Sequence, residues 1–376
     1  MEKRLYEIYV SDDDARFLPF KDKVKNGIFK LAQSPPLPVA KPAAVFKTAE
    51  EALEQKKNYT KAIRLDGLNV SGEGAIVAVL DTGVDFHHPD LVDAEWRNVG
   101  EIPDNNIDDD QNGFVDDVNG WNFHDGNGDT LDQLFSNHGT AVAGIISGKV
   151  TGVAPGSKVM AIKVTDGRSG DWGTLLAAMA YASKMGAHAV NLSLSGTSWP
   201  LDMTTLFHEA MGENVFYAVA AGNSSKSCDE QKFYPSALTF PNMISVIASG
   251  VGENSFVKAK YSNYGNCYEL AAPAGEGGYG IVTTSLTFPD LPYRIFDGTS
   301  AATPIVIGTA ALLKAAHPNL SAEKIKELIL QNATIKNDLE VSQGRFLNIE
   351  SALNTANVTE QNPTSLAKYG TAAAHF

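Results

Sequence analysis

The feature that most constrains this chain is a continuous run of six apolar residues, 75–80, ending at Asp81. The run shows no alternation of apolar and polar side chains, so both faces of a strand built from it must be buried. Similar runs recur, and stretches with helical character separate them. The runs are 158–164, 187–194, 215–221 and 243–248, and the helical stretches are 139–147, 173–185 and 204–212. This order predicts an α/β fold with a doubly wound, mostly parallel sheet and helices on both faces.

The C-terminal third adds two predicted helices. Residues 304–316 are apolar on nearly every side, which indicates a helix buried in the middle of the protein. Ser321 is a suitable N-cap for a further helix that ends near Ala333. No run reaches 18 uninterrupted apolar residues, so we predict no transmembrane helix.

Charge composition excludes one class of partner. The chain has 376 residues, with 30 Lys and Arg against 44 Asp and Glu, a formal net charge of -14. So acidic a surface repels phosphate backbones, and we expect no nucleic-acid partner. We also expect no membrane association and a monomer. The excess of carboxylates suits hard cations such as Ca²⁺.

Composition along the chain predicts three segments. Residues 1–57 have the character of an N-terminal arm, linker or pro-segment remnant, with four prolines between positions 34 and 42. Residues 58–357 form the main domain, and 358–376 are a polar tail. The first ten residues lack the apolar segment of a secretory signal, so the protein is either cytosolic or a processed piece of a longer one.

Four polar residues stand where strands end or helices begin. Asp81 follows the first buried run, and His138 opens a helix of small residues. Asn223 closes another strand, and Ser300 lies at the N-terminus of the buried helix. Singly, they also suit a turn aspartate, a structural histidine, a turn asparagine and an N-cap serine. Together they offer an acid, a base, an NH₂ donor for an oxyanion and a nucleophile.

The motifs around these residues resemble those of the subtilisin-like serine proteases. The resemblance rests on residues 79–85, 138–140 and 298–304, and extends over roughly 58–357. It implies the three-layer architecture of that family and peptide-bond hydrolysis through an acyl-enzyme. Ser300 would be the nucleophile and His138 the general base. Asp81 would orient the imidazole, and Asn223 would join the Ser300 N–H in the oxyanion hole.

The same resemblance implies how substrate binds. An extended protein or peptide substrate would add as a strand to the edge formed by Ser193, Leu194, Ser195 and Gly196. Gly222 would form one wall of the pocket for the residue before the scissile bond (P1). Phe233 would lie toward the base of this pocket, where its bulk favours small P1 side chains.

An acidic insert between the aspartate and histidine motifs predicts a calcium site. Five Asp fall within residues 108–117, and without a cation they would repel one another. The spacing of oxygen ligands follows an EF-hand-type loop as far as its ninth position, and Asp117 could replace the missing carboxylate at position 12. The alternative is a solvated acidic surface loop. The predicted ligands are Asp108, Asp110, Asn112, the carbonyl of Phe114, Asp116 and Asp117.

The two cysteines, Cys228 and Cys267, are by composition either one disulfide or two thiols. Resemblance to disulfide-containing members of the family implies that they are bonded. A disulfide in turn implies a secreted or periplasmic protein whose signal is not in this chain.

Two alternative functions are compatible with the same fold. One is a specialised maturation protease or peptide cyclase in which the N-terminal arm restricts access. The other is a catalytically silent binding protein, which conflicts with the four intact catalytic positions. An α/β-hydrolase lipase is not supported, because Ser300 lacks the Gly-x-Ser-x-Gly context.

Overall fold

A computed structural model describes residues 28–31, 44–132, 137–168, 170–286 and 291–361. The proline-rich stretch at 34–42 lies outside the described residues, as do most of the predicted N-terminal arm and C-terminal tail.

The described residues form the strands of three sheets and seven α-helices. The strands are β1 Ile28–Leu31, β2 Val45–Phe46, β3 Ile76–Asp81, β4 Gly120–Asn122, β5 Lys158–Lys163, β6 Gly170–Asp171, β7 Ala189–Leu192, β8 Leu194–Ser195, β9 Phe216–Ala220, β10 Met243–Ser249, β11 Leu270–Pro273, β12 Gly275–Glu276, β13 Tyr279–Thr284, β14 Tyr293–Phe296, β15 Thr334–Ile335 and β16 Arg345–Phe346. The helices are α1 Ala49–Thr60, α2 His138–Ser147, α3 Trp172–Lys184, α4 Met203–Ala210, α5 Thr299–Ala316, α6 Ala322–Gln331 and α7 Ile349–Gln361.

The largest sheet has nine strands in the order β15-β16-β11-β10-β9-β7-β3-β5-β4. Its neighbouring strands are parallel, apart from the antiparallel pair β15–β16. After β3 the chain first adds β4 and β5 on one side, then β7 and β9 on the other. The order therefore reverses beside β3, and the carboxyl ends of β3 and β7 meet at a topological switch point, where ligands of such sheets bind.

Helices cover both faces of this sheet, as the unalternating apolar runs predict. Val77 and Val79 of β3 face a core that includes α2, α5 and α6. Ala78 and Leu80 face the opposite core, which includes α3 and α4. The predicted doubly wound α/β architecture is confirmed.

Two predicted boundaries differ from the structure. The run 187–194 is two strands, β7 and β8, interrupted at Ser193. Helix α5 begins at Thr299, five residues before Pro304, so the proline lies inside the helix. By length and mean hydropathy of 1.3, α5 is the one helix in the described part of the chain that could cross a membrane. Since 83% of it is buried within the protein, it is a core helix.

Helix α1, within the predicted arm, packs on the main core. Thr48 and Glu51 form a capping box at its start, and Tyr59 is fully buried near its end. The Lys56 ammonium donates to the carbonyls of Val150 (3.1 Å) and Gly152 (2.6 Å), in the turn after α2. Burial lowers the pKa of Lys56 to about 8, against the opposing influence of nearby carboxylates.

Cys228 and Cys267 form a disulfide, so the predicted bond is confirmed. It joins the loop after β9 to the loop before β11. Gly265 permits this close approach, because a Cβ at that position would lie 2.7 Å from Cys228 Sγ.

We predict that a non-reduced tryptic digest contains peptides 227–232 and 261–294 as one linked species. A Cys228→Ala, Cys267→Ala double variant should unfold more easily by about 2–4 kcal/mol, because the bond restricts the unfolded chain. Mass spectrometry and thermal melting measure the two effects. Finding both cysteines separately alkylated in protein made under oxidising conditions would contradict the bond.

Candidate active site

A buried carboxylate–imidazole pair lies at the carboxyl end of β3. The Nδ1 atom of His138 lies 2.8 and 2.9 Å from the two oxygens of Asp81, and neither residue is exposed to solvent. The backbone N–H of Thr82 donates to the same carboxylate at 2.8 Å. Because the carboxylate holds a proton on Nδ1, Nε2 is the basic nitrogen of the neutral ring.

Close packing of α2 on the end of β3 makes this contact possible. A Cβ at Gly139 would lie 2.2 Å from the Gly83 carbonyl oxygen, so a larger residue would force the helix away. The Gly139 N–H donates to the Thr82 hydroxyl at 2.9 Å. Just before His138, Asn137 adopts a positive φ of 44°, and Arg294 donates to its carbonyl at 2.7 Å. These contacts fix the position of the His138 backbone, from which the imidazole extends.

Ser300 lies in the first turn of α5 and exchanges two hydrogen bonds with Ser193. Its Oγ donates to the Ser193 carbonyl at 3.2 Å, and the Ser193 hydroxyl donates to the Ser300 carbonyl at 3.1 Å. The second bond has a structural reason. Pro304 has no N–H to offer the carbonyl four residues earlier, and Ser193 supplies the missing donor.

The hydrogen bond from Ser300 Oγ to the imidazole is not formed in this structure. His138 Nε2 is buried and has no hydrogen-bond partner among the described residues. Hydrogen bonds between a base and a hydroxyl are often long or poorly aligned in unliganded sites, so the geometry does not rule out the pairing.

The amide of Asn223, after β9, is oriented by Thr299. Its Oδ1 accepts from the Thr299 backbone N–H at 2.9 Å and from the Thr299 hydroxyl at 3.0 Å. With the oxygen turned to α5, the NH₂ group lies on the opposite side of the amide. In the first turn of α5, the Thr299 N–H is bound by Asn223 and the Ala301 N–H donates to the carbonyl of the N-cap residue, Gly298, at 2.9 Å.

These side chains form one constellation: an acid-oriented base, a hydroxyl at a helix N-terminus and a positioned amide donor. Such a set can transfer an acyl group to the hydroxyl and stabilise the negative charge on the carbonyl oxygen. All four residues singled out in the sequence, Asp81, His138, Asn223 and Ser300, lie at the switch-point edge of the sheet or at the start of α5. Thr299, which holds the amide, was missed, although its place directly before the predicted nucleophile Ser300 was a usable signal.

The predicted substrate edge carries a strand of the chain itself. β8 pairs antiparallel with β1, with Lys30 opposite Ser195 and Leu31 opposite Leu194. The other edge of β1 pairs with β6, with Phe29 opposite Gly170. The segment Ile28–Leu31 is therefore the central strand of a three-stranded sheet, and the outer strand β8 begins directly after Ser193.

Gly196 and Gly222, the remaining predicted substrate residues, flank this edge. Gly196 exchanges backbone hydrogen bonds with Tyr234 at 2.9 and 2.8 Å. Gly222 has a positive φ of 97°, and its N–H donates to the Thr299 hydroxyl at 3.1 Å.

Part of the predicted calcium loop forms an acidic cluster. Oxygens of Glu101, Asp110 and Asp117 all lie within 4.8 Å of one another. The amide of Asn112 donates to Asp110 at 3.1 Å and to Asp117 at 2.9 Å. Asn98 donates to the same two carboxylates at 2.9 and 2.8 Å.

Other predicted ligands are engaged elsewhere. The Asp108 carboxylate accepts from the backbone N–H groups of Asn112 and Gly113. Asp116 accepts from the N–H groups of Asn105 and Asn106. The Phe114 ring packs among aromatic side chains, with its centroid 4.9 Å from that of Tyr181.

The chemistry of the cluster fits a hard cation. Asp117 is fully buried, and burial raises its pKa to about 7, although Tyr181, Asn112 and Asn98 donate hydrogen bonds to it. A divalent cation would compensate the clustered charge, and the available ligand atoms are oxygens, as Ca²⁺ prefers. Glu101 was missed because it lies outside the loop spacing, seven residues before Asp108.

Comparison with known families and proteins gives consistent matches. A family model described as the subtilase family, Peptidase_S8, matches residues 72–370. Subtilisin-like protease 1 of Plasmodium falciparum is 32% identical over 311 residues, covering 74% of this chain but 43% of that protein. Thermitase of Thermoactinomyces vulgaris is 31% identical over 269 residues, covering 70% of this chain and 82% of that protein. This chain therefore spans less than half the length of the Plasmodium relative.

Similar solved structures agree on the fold. A cold adapted subtilisin-like serine proteinase superposes with a TM-score of 0.59 at 24% identity, covering 75% of this chain and 91% of that one. A protease from Pseudoalteromonas arctica superposes with a TM-score of 0.63 at 22% identity, covering 81% and 97%.

Proposed function

The chain belongs to the subtilase family, and from that premise we propose that it is a serine endopeptidase that hydrolyses protein or peptide substrates through an acyl-enzyme. The observation that carries the proposal is the solvent-excluded Asp81–His138 contact at the sheet edge where Ser300 begins a helix. An acid-oriented imidazole with a buried Nε2 is the general base that a serine nucleophile requires.

In the proposed reaction, Ser300 Oγ leaves the Ser193 carbonyl, gives its proton to His138 Nε2 and attacks the substrate carbonyl carbon. Asp81 stabilises the imidazolium, which then protonates the leaving amine. The Asn223 NH₂ and the Ser300 backbone N–H stabilise the oxyanion. Water, deprotonated by His138, attacks the acyl-enzyme; the acyl–Oγ bond breaks, the acid is released and the imidazolium returns its proton to Ser300 Oγ.

We expect Ser300→Ala to lower turnover by several orders of magnitude with only a small change in the thermal melting curve, because besides the attacking oxygen it removes one hydrogen bond, to the Ser193 carbonyl. Phenylmethylsulfonyl fluoride should label Ser300 in the unaltered protein, as shown by mass spectrometry of the digest. Ser351→Ala, on α7, is the matched control and should keep full activity. Full activity in the Ser300→Ala protein would refute the assignment.

Asn223→Ala should lower kcat by about 10²–10³ with little change in KM, the loss typical of one missing oxyanion donor. Steady-state kinetics with a peptide substrate measures both constants. A rise in KM at unchanged kcat would show instead that Asn223 binds the ground-state substrate.

One observation favours the alternative of a specialised maturation protease with restricted access. β1 hydrogen-bonds to both β6 and β8, the two edges between which an extended substrate would add as a strand. We propose that residues 28–31 compete with substrates for this position. Peptide cyclase activity would use the same acyl-enzyme, with an amine in place of water.

A Phe29→Pro, Lys30→Pro double variant should have a lower KM for a peptide substrate and an unchanged kcat, because proline removes the N–H donors of β1. Phe29→Ala, Lys30→Ala keeps the backbone donors and is the matched control, with a smaller change. An unchanged KM in the proline variant would mean that β1 does not compete.

We propose that Ca²⁺ binds at the acidic cluster, held by Asp110 and Asp117 of the predicted set together with Glu101, whereas Asn112 turns its NH₂ group toward these carboxylates and its oxygen toward the Phe114 N–H. The support is the proximity of their oxygens and the burial of Asp117. When bound, the ion would supply charge compensation that stabilises the loop. The cluster contains none of the catalytic residues, so its effect is expected on stability more than on turnover.

Millimolar calcium should raise the melting temperature relative to excess chelator, because the ion binds the folded loop preferentially. Asp110→Asn should reduce this shift. Asp109→Asn is the matched control and should keep it, since Asp109 accepts from Ile102 and Asn105 outside the cluster. A melting temperature that does not respond to calcium in the unaltered protein would contradict the site.

We further propose that the protein is exported, on the support of its disulfide, since such bonds persist in oxidising compartments. Within the chain, residues 58–357 would be the catalytic domain, acting as a monomer, with 1–57 and 358–376 as arm and tail.

A further inference from the structure

Tyr261 hydrogen-bonds to both segments that carry the acyl-transfer groups. It is buried in the loop between β10 and β11. Its hydroxyl accepts from the Gly298 N–H at 2.9 Å, two residues before Ser300. Its backbone carbonyl accepts from the Ser225 N–H at 2.8 Å, two residues after Asn223. One residue of this loop therefore joins the turn before the nucleophile to the loop that carries the amide donor.

The Tyr261 hydroxyl fixes the orientation of the turn before α5. Gly298 is the N-cap of α5 and has a φ of 100° and a ψ of 162°, a backbone conformation that favours glycine. Because Gly298 is buried, its N–H needs an acceptor within the protein. The hydroxyl can accept this bond because its own proton is directed to the Gly275 carbonyl at 2.7 Å. The oriented turn leads directly into Thr299, whose N–H and hydroxyl hold Asn223.

The loop after Asn223 is held by the same segment of the chain. Ser225 has a positive φ of 55°, which is uncommon for a residue other than glycine. Besides its N–H bond to the Tyr261 carbonyl, its hydroxyl donates to the Lys260 carbonyl at 2.8 Å. The side-chain oxygen of Asn263 accepts from the backbone N–H groups on both sides of Ser225, at 3.0 and 3.1 Å. The position of the amide donor therefore depends on the loop that contains Tyr261.

We propose that Tyr261 is a positioning residue that fixes the Asn223 amide relative to Ser300. The inference rests on the proposed function, in which Ser300 attacks the carbon of a carbonyl group and Asn223 donates to its oxygen. These two atoms are about 1.2 Å apart, so the donor and the nucleophile tolerate little displacement relative to each other. Tyr261 acts through the two segments that it joins and takes no part in making or breaking bonds.

Tyr261→Phe keeps the ring and removes only the hydroxyl. We expect kcat for a peptide p-nitroanilide to fall about 10-fold with little change in KM, a part of the loss of about 10²–10³-fold that removal of an oxyanion donor itself causes. Tyr217→Phe is the matched control. Tyr217 is fully buried, and its hydroxyl also accepts from a glycine N–H, that of Gly212 at 3.3 Å. This contact lies at the opposite end of β9 from Asn223, so the control should lose stability without losing kcat.

A double-mutant cycle separates positioning from a purely structural effect. In an Asn223→Ala background the amide is absent, so its alignment with Ser300 no longer matters. Tyr261→Phe should therefore lower kcat less than about 3-fold in that background, against about 10-fold in the otherwise unaltered protein. A purely structural role would lower kcat by the same factor in both.

Each kcat is divided by the number of active sites, counted from the burst of p-nitrophenol that an activated ester releases, so unfolded molecules do not contribute. The assay temperature is set below the melting temperatures of all the variants. An unchanged kcat in Tyr261→Phe, or effects of equal size in the two backgrounds, overturns the inference alone, since the burst still supports the proposed function. Absence of any burst from the unaltered protein refutes the proposed function and the inference with it.

Discussion

The site depends on placing the Asp81 carboxylate inside the protein at the end of a fully buried strand. An isolated charge there would be strongly unfavourable, and three polar contacts at 2.8–2.9 Å, two from His138 and one from Thr82, compensate for it. The histidine must therefore be as buried as the aspartate. That requirement brings α2 against β3 and excludes any side chain at position 139.

The parts of the fold set by local chemistry could be predicted from the sequence. Unalternating apolar runs predicted β3, β5, β9 and β10 to within one or two residues, because both sheet faces are covered. The start of α5 was placed too late, since Pro304 normally marks the first turn of a helix. Its interior position depends on Ser193, more than a hundred residues earlier, which donates to the carbonyl that the proline leaves without an N–H.

The rest depends on contacts between distant segments. No local pattern indicates that residues 28–31 pair with β6 and β8, because their partners come from two separate loops. In the acidic loop, linear spacing predicted a ligand series. The backbone instead takes positive φ at Gln111 and Asp116, which turns some carboxylates onto N–H groups and brings in Glu101. Residue types predicted the cation-binding chemistry of the acidic loop. The geometry of this loop and the pairing of residues 28–31 required the folded chain.

The ammonium of Lys56 makes one part of the structure independent of dissolved metal ions. It donates hydrogen bonds to two carbonyl oxygens after α2, close to the Asp90 carboxylate, and so places there a cation that is part of the polypeptide. A chelator does not remove this charge, and a low concentration of metal ions does not reduce it. The turn that follows the histidine helix is therefore insulated from the ionic composition of the medium, whereas an ion bound at the acidic loop would exchange with it. The same fold thus combines a counter-charge that belongs to the chain, and that is lost only as the pH rises through the Lys56 pKa of about 8, with one that dissolved ions could supply.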